Sequence, residues 1–402
     1  MSLQFSYTTG PKTQRKENDI VLLKQKRGKD PAPILSKPLR PGSLIATEKG
    51  RGSIAADDIL GKRARDIVRN TKGIEFRILE PSLGEYTDLS PRLVTPIYSQ
   101  DTSLIVSLLD LHPSNPGADN RGGHDKLEIF EAGTGHGALT LNLARAVHGA
   151  NTPAPPIPQI KSEYENADAE LEANAAQGIY HNWRGNRRAI IHTLDQSALY
   201  SKHAQKVVKD YRQGMYFPNV DFHVGSIGNF LSQRPETPSL DHAILDLPNT
   251  DHYLEIVGKA LKSNGALITW CPSITQIIKC INLVKESHLP LLLVRVIEVG
   301  AGFSGGREWD VRLVKPRALS KAKSQVTESG PDEEEPPSVE ELSVFVNTPA
   351  QNEGWEMICR PKVGMRIVGG GFIALWRKME QDFEPVMDEE SPADLLSSSD
   401  ES

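Results

Sequence analysis

The run IEFRILEPS, residues 74–82, alternates apolar and polar positions, the period of a half-buried strand. DIVLLKQ, residues 19–25, supplies a second short apolar run within a basic start rich in Pro and Gly. Together they predict a small β-rich module over residues 18–90. PRLVTPIYSQDTSLIVSLLDLH, residues 91–112, reads as a linker followed by a helix. From residue 127 onward the pattern becomes a regular exchange of apolar runs and helical periods. LEIFEA, AIIHTLD, NVDFHV, DHAILDLP, ALITWCP, LPLLLVRVIEVG and VGGGFIALWRK predict strands. ALTLNLARAV, SALYSKHAQKVVKDY, HYLEIVGKALKSNG, which Gly265 stops, and SITQIIKCINLVKE, which Ser273 caps, predict helices between them. Such alternation implies an α/β fold with a mostly parallel, doubly wound sheet covered on both faces. Residues 150–184 lack a sustained apolar period and are expected to form a long loop or partly disordered insertion.

The first strand of this exchange ends in Glu131 and passes into Ala132, Gly133, Thr134, Gly135, His136 and Gly137 before the next helix. Glycines there permit positive φ and let a ligand approach the backbone. A helix N-terminus attracts anions, so a dinucleotide pyrophosphate is one candidate ligand. Glu131 favours another, because a carboxylate two positions before the first glycine suits the cationic amino-acid end of S-adenosyl-L-methionine. In open α/β sheets ligands bind beyond the carboxyl ends of the strands. Asp195 and Asp246 close two further strands on that rim, as Ser226 does after a third. Asp195 suits ribose hydroxyls or the N-cap of the next helix. Ser226 suits adenine or a turn cap. Pro248 restricts Leu247 and ends its strand, which leaves Asp246 at the mouth of the sheet as a catalytic carboxylate or the cap of a turn.

The 402 residues carry a net charge of -6, unevenly divided. Residues 379–402 hold nine Asp/Glu and no Lys/Arg, and residues 318–350 hold seven Asp/Glu against two Lys. Without these two stretches the chain is net basic, which is compatible with a polyanionic partner and equally with a solvated surface. No apolar run reaches the roughly 18 residues of a transmembrane helix, so no membrane partner is expected. Cys271, Cys280 and Cys359 form an odd set without CxxC spacing, which argues against a disulfide framework or a structural metal. The first sixteen residues lack acids and contain Ser, Thr and three basic residues. They resemble a weak mitochondrial presequence or a disordered start.

EAGTGHG, DHAILDLP, IEVGAGFSGGREWDVRL and RPKVGMRIVGGGFIALWRK resemble the catalytic subunits of tRNA (adenine-58-N1) methyltransferases. Upstream, GSIAADDILGK, EPSLGEYT and PRLVTPIYSQD resemble that family's N-terminal module and connecting segment. The resemblance covers about residues 50–378, apart from the two insertions. It implies a Rossmann-like class I methyltransferase with a mostly parallel seven-stranded sheet, which methylates N1 of adenine in tRNA. Its cofactor would be S-adenosyl-L-methionine, held by Glu131, Ala132, Gly133, Thr134, Gly135, Gly137, Asp195, Ser226 and Asp246. Asp246 would serve the transfer, and Arg307 and Trp309 would contact the substrate. The family's assembly implies a homotetramer, or a heterotetramer with a non-catalytic paralogous subunit. The sequence departs from the family's pattern in three places. Thr250 and Asp251 replace a Pro-Trp pair, Gly369, Gly370 and Gly371 replace Gly-His-Thr, and Pro96 replaces a Gln. A catalytically diverged RNA-binding or partner subunit, or a methyltransferase of another RNA, a protein or a small molecule, is the alternative. The expected organisation is a disordered 1–17, the β-rich module at 18–90 and a methyltransferase domain at 91–378. Flexible insertions at 150–184 and 318–350 and a disordered acidic tail at 379–402 complete it. From the start and the departures a mitochondrial location is expected, with the nucleus as the alternative.

Overall fold

In the computed structural model, the described residues are 14–26, 33–47, 52–114, 126–158, 167–234, 238–300, 309–314, 356–361 and 370–380. The N-terminal part comprises β1 (Leu22–Gln25), β2 (Ile34–Leu35), β3 (Leu44–Ala46), β4 (Ser53–Ala55), β5 (Ile67–Arg69) and β6 (Glu75–Leu79). An antiparallel sheet in the order β2-β1-β6-β5 and a β3-β4 pair enclose a separate small core of Val21, Leu23, Leu39, Ile54, Phe76 and Ile78. The alternation read from the sequence is realised in β6, where Phe76 and Ile78 point inward and Arg77 outward. Of the segment expected to be disordered at 1–17, residues 14–17 are described and ordered. Arg15 is buried and its N–H donates to the Lys62 carbonyl at 2.8 Å. Residues 1–13, 318–350 and 381–402 lie outside the described residues.

Two helices follow, α1 (Leu83–Leu89) and α2 (Ser99–Leu109). The first begins where Ser82 and Glu85 cap each other reciprocally, satisfying two of the four N–H groups a helix start leaves open. The larger unit then runs β7 (Leu127–Ala132), α3 (Ala138–Ala146), α4 (Ala167–Gly185), β8 (Ala189–Asp195), α5 (Ala198–Asp210), β9 (Val220–Val224), α6 (Ile227–Ser232) and β10 (Leu240–Leu245). It continues through α7 (Leu254–Ala260), β11 (Leu261–Cys271), α8 (Ile274–Glu286), β12 (Leu291–Gly300), β13 (Trp309–Val314), β14 (Glu356–Pro361) and β15 (Gly370–Lys378). Seven strands form one sheet in the order β12-β15-β11-β10-β7-β8-β9, parallel except that β15 runs against both neighbours. β13 and β14 pair separately.

Successive residues of each strand feed opposite faces. Ile129, Ile191, Ile244 and Ile268 join the layer of α2, α3 and α5. Phe130, Leu194, Leu245 and Leu267 join the layer of α6, α7 and α8. Fully burying one such side chain is worth about 1.5–3 kcal/mol, and a one-residue slip would misplace a whole face.

Two expectations need correction. Residues 167–185, inside the stretch read as a loop, form α4. Its outer face is polar or exposed, with Leu171 and Ile179 in solvent, so no apolar period announces it. Its Ala- and Glu-rich composition supplies helix propensity, and its end is tied down where Trp183 donates to the Thr152 carbonyl at 3.1 Å. The helix expected to run up to Gly265 stops at Ala260, and β11 begins at Leu261 with a register shift against β10. Asn264 takes a left-handed φ of 62° in that irregularity, a conformation for which Asn is suited.

Candidate functional site

The sheet reverses its winding between β7 and β10, and the residues leaving those two strands meet there. The Asp246 N–H donates to the Ala132 carbonyl at 2.9 Å, which continues the ladder past the strand ends. Gly133 then turns with a φ of 98°. A Cβ at this position would lie 2.0 Å from the Asp246 carbonyl oxygen, so both the conformation and the close approach require glycine. The turn is fixed from the other side by β8. Gly133 and Thr134 donate to the Leu194 carbonyl at 2.9 and 3.2 Å, and the Thr134 and Thr193 hydroxyls lie 2.7 Å apart. Gly137 donates to the Thr134 carbonyl at 2.8 Å and stands at the N-cap of α3.

Three carboxylates surround this turn. Glu131 is 1% exposed and accepts a 2.6 Å hydrogen bond from the Thr140 hydroxyl. Desolvation pushes its pKa up to about 8, with Asp246 and Asp195 adding repulsion and the Thr140 and Thr193 hydroxyls opposing the rise. Asp246 is half-buried, and desolvation pushes it up to about 7. Asp195 uses both oxygens on backbone, accepting from Gly135 N–H at 2.9 Å and Ser197 N–H at 2.8 Å. It thereby holds the glycine turn, while Ser197 caps α5. Ser226 caps α6, its hydroxyl accepting from Asn229 N–H at 3.2 Å.

The connecting segment lies over the turn. Val94 stands 3.4 Å from where a Gly135 Cβ would be, and Arg92 donates to the Tyr98 hydroxyl at 3.1 Å. His136 is 2% exposed, packed edge-on against His203 with neither ring nitrogen hydrogen-bonded. Burial, followed by the charges of His203 and Arg92, holds it near 4, so the ring is neutral. Its place in the turn is therefore a packing contact to α5.

Glu131, the glycine turn, Asp195, Ser226 and Asp246 thus stand on one rim. Trp309 stands at the first position of β13 opposite Pro361, and Arg307 lies outside the described residues. Sequence reasoning missed Thr140 and Thr193, which line the buried Glu131, and Trp270. The parallel register sets Leu245 beside Thr269, so Asp246, the first residue after β10, stands level with Trp270 of β11. The Trp270 indole N–H is buried without a partner. Only the helical spacing of ALTLNLARAV signalled Thr140, which sits one turn into α3.

The donor set fits S-adenosyl-L-methionine. A buried acid poised to ionise suits an ammonium group. Glu131 and the turn would hold the methionine end, with Asp195 beside the ribose.

The fold and this rim define a Rossmann-like methyltransferase. A solved O-methyltransferase of Thermotoga maritima superposes with a TM-score of 0.54 at 18% identity, covering 92% of this chain and 97% of its own. The tRNA (m1A58) methyltransferase TrmI of Aquifex aeolicus gives 0.51 at 17% identity, covering 91% and 99%. No family model matches the chain. In sequence it is related to the tRNA (adenine-58-N1) methyltransferases. TrmI of Thermus thermophilus is 28% identical over 290 residues, 70% of this chain and 89% of the relative. The tRNA (adenine-57-N1/adenine-58-N1) methyltransferase of Methanocaldococcus jannaschii is 24% identical over 238 residues, 58% of this chain and 73% of the relative.

Proposed function

We infer that this chain is an S-adenosyl-L-methionine-dependent tRNA methyltransferase that forms 1-methyladenosine at adenine 58, the activity named for its bacterial relative. The observation that carries the reading is the junction of Gly133 with Asp246, which sets a cofactor turn and a reactive carboxylate against each other. When bound, the cofactor supplies an electrophilic methyl group on a sulfonium. Neutral adenine already exposes a lone pair at N1, so the protein's task is mainly positioning. As the N1–methyl bond forms and the sulfur–methyl bond breaks, the base becomes cationic. Asp246 beside the exocyclic amine would stabilise that charge and take up the proton that N6 sheds. N1 lies on the Watson–Crick edge, so the adenine must be unpaired or unstacked to enter.

Incubation of the purified chain with S-adenosyl-L-methionine and unmodified tRNA, read by nucleoside mass spectrometry, tests this. The expected product is 1-methyladenosine, from the chain alone or with a non-catalytic relative added; product that forms only with a second subunit and survives Asp246→Ala in this chain would make this chain a supporting partner. A tetramer, of identical chains or with a non-catalytic relative, and a mitochondrial location with the nucleus as alternative belong to the same reading. Light scattering and imaging of a tagged chain check them.

A further inference from the structure

We propose that the solvent face of the N-terminal sheet holds RNA phosphates, with Arg77 at its centre and Arg65, Arg69, Lys24 and Lys26 around it. The inference rests on the tRNA reading for the identity of the polyanion. Phe76 and Ile78 of β6 fill the module's core, so Glu75 and Arg77 face outward. The antiparallel register places Lys24 of β1 directly opposite Arg77, with Ile67 of β5 on its other side. One rung along, Lys26 and Arg69 flank Glu75. Neighbouring strands lie about 5 Å apart and outward positions along one strand about 7 Å, so these charges share one small face.

Glu75 does not neutralise this face. Its oxygens are taken by Arg69 at 3.0 Å and Lys26 at 3.1 Å, and among the described residues no acid pairs with Arg77, which is exposed. A Lys directly opposite an Arg is an unfavourable pairing on a sheet, where an acid at either position would be favourable. A phosphate laid across the two turns that repulsion into attraction. Arg65 gives a second sign. Its N–H donates to the Ile78 carbonyl at 2.7 Å, extending the ladder between β5 and β6 by one more rung, and the residue is exposed. Its φ of 75° is an outlier for a residue with a long side chain, and such conformations gather at binding sites, where local stability does not select them. Three of the five cations are arginines, whose planar fork of donors matches a phosphate. The module's own core lies on the other side of this sheet, so the face is left to a ligand.

The test measures the affinity of the full chain for unmodified tRNA as a function of salt. Arg77→Gln should flatten the logarithmic salt slope by about one, and Arg77→Lys, which keeps the charge, should leave it unchanged. The triple variant Arg65→Gln, Arg69→Gln, Arg77→Gln should flatten the slope by about two or more and weaken binding at least about tenfold near physiological salt. Its KM for tRNA should rise while kcat at saturating tRNA and the affinity for S-adenosyl-L-methionine hold. Thermal unfolding separates a binding loss from a folding loss: Arg77→Gln should match or exceed the wild-type midpoint, since it relieves the pairing with Lys24. A slope that the triple variant leaves unchanged overturns the proposal, even in a chain that forms 1-methyladenosine. An unchanged slope with an altered molar mass by light scattering also overturns it and gives the face to a protein partner. A flattened slope in a chain that forms no 1-methyladenosine supports the surface, and the activity reading alone fails.

Discussion

Glu131→Gln tests the electrostatics of the rim in the absence of cofactor. Glu131 is 1% exposed, and its pKa is raised from 4.5 to about 8, desolvation being the largest cause. The folded chain therefore retains a proton that the unfolded chain releases, and stability falls as pH rises between those two values. Below 4.5 the effect is absent; above 8 it is complete. At pH 7.4 the cost is on the order of 4 kcal/mol, from about 1.36 kcal/mol per pH unit over the interval above the unfolded pKa. Gln has the same shape, accepts from the Thr140 hydroxyl as before and does not ionise. The variant should be more stable than the wild type at pH 7.4 by up to about 4 kcal/mol, with the difference closing near pH 4.5. Urea unfolding of the cofactor-free chain at several pH values measures it. The same variant should bind S-adenosyl-L-methionine at least about tenfold more weakly, since a buried charge partner for the ammonium is gone. A stability difference that does not change between pH 5 and 8 would refute the reasoning.

Asp246→Asn should lower the rate of methyl transfer by roughly 100-fold or more while cofactor affinity changes little, a split that single-turnover kinetics and calorimetry resolve. Gly133→Ala forces a Cβ to within 2.0 Å of the Asp246 carbonyl and holds Ala at a φ of 98°; it should abolish measurable cofactor binding and lower the melting midpoint. Asp221 accepts from Arg187 Nη2 at 2.7 Å and pairs with Arg184, and these contacts outweigh desolvation to hold its carboxyl near 2. Asp221→Asn leaves a buried guanidinium unpaired and should cost about 3–5 kcal/mol at neutral pH. Since the folded pKa lies below the unfolded one, that cost should shrink as pH falls from about 4 towards 2, which acid-dependent urea curves will show.

The strands of the sheet and the three carboxylates were legible because each follows from a local rule: apolar runs of strand length, Asp or Glu where a run ends, glycine where the chain must turn. What α4 and the start of β11 share is the absence of such a local cue. The exposed helix α4 has no buried stripe, so periodicity is silent while Ala content and the Trp183 and Arg184 anchors decide. Leu261 joins the sheet through a single pairing with Leu240 ahead of a register shift, a tertiary contact that the amphipathic pattern before it concealed. The same limit applies within the site. Asp195 was legible as a rim carboxylate, but its two backbone hydrogen bonds come from residues 60 and two positions away, and only the fold brings the first of them close.

One departure from the family's pattern, Gly371, falls where volume is shared between strands. Gly371 opens β15 against the end of β11, and a Cβ there would lie 2.9 Å from the Cys271 carbonyl and 2.9 Å from Cζ2 of Trp270. The large indole and the missing side chain are therefore complementary: Trp270 occupies the room that a residue at 371 would need. On that account Gly371 preserves packing around Trp270. Gly371→Ala should lower the melting midpoint and weaken methyl transfer, because the alanine displaces both the indole and the strand end. Trp270→Ala in the same chain removes the contact with the indole but leaves the one with the Cys271 carbonyl. The double variant should recover part of the stability expected from adding the two single losses. Strict additivity of the two substitutions, measured by urea unfolding, would show that the indole and the glycine are not coupled.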